Sequence, residues 1–135
     1  MYYTDVAGHS DPVNFRLYDK RENKTKNDYF IEMLREIKSW GIQPDWVTGD
    51  SWYSRGANLK FLRNEEVGFL FGVADNRQVS LEQGKEVQVQ TLAIPEPGLL
   101  VYLKEFGWVK VFCQGASQFC NEYKYSNAKL SFFMY

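Results

Sequence analysis

VTGDSWYSRGANLKFLRN, residues 47–64, is the stretch from which the rest of the chain is read. An apolar run ends on Gly49 and Asp50, and Ser51, Trp52 and Tyr53 follow. A basic segment comes next, with Leu59 and Leu62 spaced to share one helical face. The stretch therefore reads as a short strand (DWVTG, 45–49), a turn carrying a carboxylate, and a short helix over roughly 56–63. Two readings of Asp50 stay open on the residues alone. In one it is a turn or N-cap aspartate, whose side chain accepts a backbone N–H. In the other it is a ligand for a hard cation, since Mg²⁺ takes one or two carboxylates and keeps several waters. Asp11, Asp19 and Asp45 would supply a neighbouring ligand only if the fold brought them close.

Working upstream, VNFRLY (13–18) alternates apolar and polar residues and predicts a half-buried strand. KRENKTKND (20–28) is a polar connection. YFIEMLREIKSW (29–40) places Phe30, Met33, Leu34 and Ile37 on one helical face, Thr25 and Asp28 have capping-box spacing, and Gly41 supplies a stop. The order strand, helix, strand, helix favours a mixed or parallel sheet covered by helices, with functional residues at the carboxyl ends of strands. Asp50 occupies such an end.

Downstream of residue 64 the pattern changes. GFLFGV, VQVQTLAI, LLVYL, WVKVF and EYKYS are short, rich in Val, Leu, Phe and Tyr, and separated by Gly, Pro or charged turns. They predict a β meander, with EFGW (105–108) as a hairpin turn. The chain closes on LSFFMY, an apolar run that needs strand partners on both sides or an edge defence.

Composition sets the outer bounds. The 135 residues are 44% apolar and 24% charged, the composition of a globular chain of one domain. Aromatic content of 17% predicts a core or a binding face built on rings, with Trp52 and Tyr53 expected in the core. A net charge of −1 excludes a uniformly basic nucleic-acid binder but leaves room for a local basic face. Two cysteines, Cys113 and Cys120, and one histidine, His9, argue against a zinc site. The cysteines are expected as reduced cytosolic thiols. No apolar run approaches the ~20 residues that span a bilayer, so the expected location is cytoplasmic.

GDS (49–51) also fits a serine nucleophile, but that chemistry needs a histidine base and an orienting carboxylate, and no late Asp-x-x-His motif is present. Of the basic residues, those around the first helix are interleaved with Glu22, Asp28, Glu32 and Glu36, which predicts a salt-bridged, solvated face. Arg55, Lys60 and Arg63 have no acidic neighbour until Glu65 and are the better candidates for facing DNA. Asn76 and Arg77, in DNR after an apolar strand, would either cap a turn or reach a phosphate.

Taken in order, FRLYDK, KTKNDYFIEML, VTGDSWYS with NLKFLRN, NRQVS, and FGWVKVF with EYKYSN resemble the central part of bacterial insertion-sequence DDE transposases. The type resembled carries a β-rich insertion between its second and third acidic residues. The resemblance implies an RNase H-like core in which two aspartates and a glutamate hold two Mg²⁺ ions, with Asp50 as the second aspartate. It implies the first aspartate before Met1 and the glutamate after Tyr135, so the chain is expected to be an internal fragment with one of three ligands, inactive alone. Asp5 and Asp19 do not match the motif, and Asp75 stands where the family has a lysine before NR. The expected fold class is α/β in its α+β form: a partial RNase H-like mixed sheet with helices over 1–66, a β-rich insertion over 67–121, and a return to the core over 122–135. Expected partners are DNA at element ends, a second copy, or intact transposase. The alternative expectation is a non-catalytic module that binds DNA or transposase and inhibits it.

Overall fold

The computed structural model describes residues 1–114 and 130–134, and the chain divides into two units, Met1–Asp45 and Trp46–Tyr135. In the first unit, β1 (Tyr2–Thr4) and β2 (Ser10–Pro12) pair antiparallel as a small hairpin. Helix α1 (Lys26–Ser39) starts where the sequence predicts. The Thr25 backbone N–H donates to Asp28 Oδ2 at 2.6 Å, and Thr25 Oγ1 accepts from the Asp28 N–H at 3.2 Å. The helix ends because Gly41, at φ +86°, turns the chain left-handed, so that Gly41 and Ile42 donate back to Lys38 and Ile37. Tyr29, Phe30, Leu34 and Ile37 are buried; Met33, expected on that face, is only half-buried, and Tyr29 takes the place. On the polar side, Lys24 pairs with Glu32 and Arg16 with Glu36, both at 2.6 Å, which is the salt-bridged face expected.

VNFRLY is not a strand. Asn14 and Arg16 turn toward α1 instead: Asn14 Nδ2 and Arg16 Nη2 both donate to Glu36 Oε2, while Asn14 Oδ1 accepts from the Phe15 N–H. Phe15 and Leu17, the apolar half of the alternation, are 75% and 81% exposed. The polar residues find charged partners on the helix, and that holds the segment outside any ladder.

In the second unit, β3 (Trp46–Gly49), helix α2 (Gly56–Asn64) and β4 (Gly68–Val73) make a βαβ unit, with β3 parallel to β4. The chain continues through β5 (Gln78–Ser80), β6 (Glu86–Gln88), β7 (Leu99–Leu103), β8 (Gly107–Gln114) and β9 (Leu130–Met134). Among the described residues these strands form one seven-stranded mixed sheet in the order β3-β4-β9-β8-β7-β5-β6. The hairpin at EFGW forms as predicted, with Leu103 opposite Gly107. The meander is broken between β4 and β8, because β9 enters there and pairs antiparallel with both. LSFFM thus has the two partners that its apolar run demands. EYKYS lies outside the described residues.

Period-two burial marks the face on which the core sits. Val101 and Leu103 of β7 and Val109 and Val111 of β8 are buried, while Leu100, Tyr102 and Trp108 between them are exposed. Leu59 and Leu62 of α2 are fully buried, as are Phe69 and Phe71 of β4, whose rings stack 5.7 Å apart. Phe106 meets Phe69 edge-on at 5.6 Å. Cys113, on β8, is in a disulfide rather than a reduced thiol; Cys120 lies outside the described residues. Among the described residues, no helix is long and apolar enough to cross a membrane.

Candidate metal and nucleic-acid site

Asp50 follows the last residue of β3, as the pattern of residues 47–64 requires. Its carboxylate is exposed, and Oδ1 accepts from the Trp52 N–H at 2.9 Å, which caps a 3₁₀ turn over Ser51–Tyr53. The capping reading is therefore correct, and it does not displace the other: one carboxylate oxygen holds the turn, and the second makes no hydrogen bond among the described residues. The turn continues through Tyr53 N–H to Asp50 O and through the Ser54 N–H and hydroxyl to Ser51 O. Ser54 is buried.

Residues outside the acidic motif build the surroundings of this turn. A Cβ on Gly49 would lie 2.9 Å from the buried Phe71 ring, and one on Gly72 would lie 3.0 Å from Ser51 N. Both positions need glycine for space, since neither has a positive φ. Asn58, fully buried on α2, donates from Nδ2 to Tyr53 O at 3.0 Å. A sequence signal for Asn58 exists: it lies four residues before Leu62, an amide on the inward face of an apolar helix. Gly72 carries no such signal. Trp52, expected as a core ring, is 52% exposed; Tyr53 is half-buried, with its ring beside Gly49.

The basic candidates separate into two groups. Arg55, the N-cap residue of α2, and Lys60 are exposed and form no ion pair among the described residues. Arg63 is engaged: its Nη1 donates to Phe106 O at 2.8 Å and its guanidinium lies 4.6 Å from the Phe106 ring centre. Arg77 pairs with Glu105 at 3.3 Å, so the β7–β8 turn gathers both arginines. Asn76 is exposed in the Ala74–Arg77 turn.

Of the other aspartates considered as ligands, Asp5 and Asp19 are occupied locally in the first unit. Asp5 Oδ1 accepts from the Ala7 and His9 N–H groups while Oδ2 meets His9 Nδ1, and Asp19 binds the Arg21 guanidinium through both oxygens. The His9 and Arg21 bonds hold the two carboxyls below the usual aspartate range. Among the described residues, no group of three or more His, Cys, Asp or Glu side chains would hold a metal ion.

The transposase DDE domain matches residues 6–102, a span that includes Asp50 and α2 and ends within β7. No curated protein and no solved structure matches the chain. The match ties the chain to transposition, with DNA as the substrate of the family and a divalent metal as its general requirement. With more than half of its length matched, the chain belongs to the transposase DDE domain family.

Proposed function

We propose that this chain serves DNA transposition by presenting Asp50 as one carboxylate of a Mg²⁺ site for strand cleavage and transfer, on a partial RNase H-like sheet. The observation that carries the reading is the placement of Asp50 within the family match. An exposed carboxylate stands at the carboxyl end of a parallel strand with one oxygen unused by its turn. Asp50 would hold a Mg²⁺ ion through its free oxygen, and the bound metal would supply Lewis-acid stabilisation for phosphoryl transfer. The described residues fit that site only in part. Asp50 suits one ligand position, and no cluster of acidic side chains accompanies it. On this reading the remaining ligands would have to come from groups outside the described residues, since a single carboxylate does not position two metals. The chain by itself is accordingly expected to lack strand-transfer activity.

A Mn²⁺ titration followed by NMR tests the role of Asp50. The amides of Ser51–Tyr53 should broaden first in the wild type and no longer do so in Asp50→Asn. Broadening elsewhere, or unchanged broadening in Asp50→Asn, would overturn the assignment.

The second reading is a non-catalytic module, without cleavage of its own, that binds DNA or pairs with a second copy or with intact transposase. It is favoured by Arg55 and Lys60, which are exposed and in no ion pair among the described residues.

A further inference from the structure

We infer that Asn58 and Gly72 are positioning residues for Asp50: they clamp the Asp50–Ser54 turn from two elements and so set where its carboxylate stands. The inference rests on reading Asp50 as a metal ligand. From α2, the Asn58 side-chain amide donates to Tyr53 O, one residue before the turn gives way to Ser54 and Arg55. From β4, Gly72 lies close against the Asp50–Ser51 backbone. A Cβ there would lie 3.0 Å from Ser51 N, 3.4 Å from Asp50 C and 3.5 Å from Asp50 Cα. These neighbours are backbone atoms and cannot swing aside as a side-chain tip does.

The two contacts act on the same five residues. Asp50 Oδ1 depends on the Trp52 N–H, and the Trp52 peptide lies between the Ser51 amide that Gly72 supports and the Tyr53 carbonyl that Asn58 holds. Moving either end rotates the peptide that orients the carboxylate. An exposed aspartate on a surface turn is otherwise free to change rotamer. The buried amide and the missing side chain are what give this one a fixed direction, as outer groups do for metal ligands in general.

The test compares Gly72→Ala and Asn58→Ala with wild type, Asp50→Asn and Leu62→Ala, all in the full chain. Two readouts are taken: Mn²⁺ broadening of the Ser51–Tyr53 amides, and hydrogen exchange of the Trp52 amide relative to core amides of β7. Leu62→Ala lowers stability while removing neither the Asn58 nor the Gly72 contact with the turn, and should leave both readouts unchanged. Each positioning variant should speed relative exchange at Trp52 and raise the Mn²⁺ concentration needed for equal broadening about 10-fold. If Asp50→Asn abolishes broadening while both positioning variants behave as Leu62→Ala, the inference falls and the ligand assignment stands. If the wild type shows no local broadening, the ligand assignment falls, and Trp52 exchange alone decides whether these residues orient the carboxylate. Should Asn58→Ala fail to fold, Gly72→Ala carries the same decision.

Discussion

At the scale of single residues, Asp50 illustrates why one carboxylate supports two readings at once. A side chain with two oxygens can cap its own turn with one and leave the other for a cation, so a satisfied cap is no argument against a ligand. The arginines and lysines show the reverse. Arg63 stands with Arg55 and Lys60 in sequence, and Arg77 reads as a turn or phosphate residue, yet the fold commits the two arginines to Phe106 and Glu105. If the chain binds DNA, gel-shift titrations at two salt concentrations should assign about one unit of salt slope to each of Arg55 and Lys60 on replacement by Ala. Arg63→Ala should lower stability first and leave the slope close to wild type. A slope unchanged by Arg55→Ala and Lys60→Ala would remove both from the DNA surface.

Elements are legible where the signal is local. The Thr25–Asp28 box, the Gly41 stop, the inward Leu59 and Leu62, and the EFGW turn are each set by residues a few positions apart, and each forms. VNFRLY fails as a strand because its alternation says nothing of Glu36, twenty residues on from Arg16, which draws the polar half inward. At the end of α2, Glu66 adopts φ +58°, a left-handed position with no glycine, while its N–H and that of Val67 close the helix onto Arg63 and Leu62. Glu66→Gly should therefore raise stability by up to about 1 kcal/mol in chemical denaturation; a loss of stability would show that the Glu66 side chain contributes more than its backbone costs. Helix α1 should respond to acid. The Thr25 N–H holds the Asp28 carboxyl below the usual range, and Arg16 does the same for Glu36. A lowered folded pKa gives stability that is present above the unfolded value, about 4, and lost as pH falls through the folded one. Cα shifts of Lys26–Asp28 should move toward coil values below about pH 4, and helical shifts that persist there would contradict the linkage.

For the whole molecule, the change from a helix-containing to an all-β pattern after residue 64 is visible in the sequence, but the sheet that joins the two is not. The entry of β9 between β4 and β8 is a pairing of β4 across more than fifty residues, with no local signature beyond an apolar run that wants two neighbours. The site is legible as a single carboxylate at a strand end and as a family resemblance; Asn58 is signalled by its place on the inward face of α2, whereas the approach of Gly72 to the turn requires the fold. What the assembled unit offers is one exposed carboxylate on a framed turn, with no acidic cluster among the described residues. The most direct test is cleavage of DNA bearing transposon-type ends by the purified chain in Mg²⁺, with Asp50→Ala alongside. The account predicts no cleavage or strand transfer from either protein. Mg²⁺-dependent cleavage by the wild type that Asp50→Ala abolishes would contradict it, and would mean that this chain assembles a complete metal site of its own.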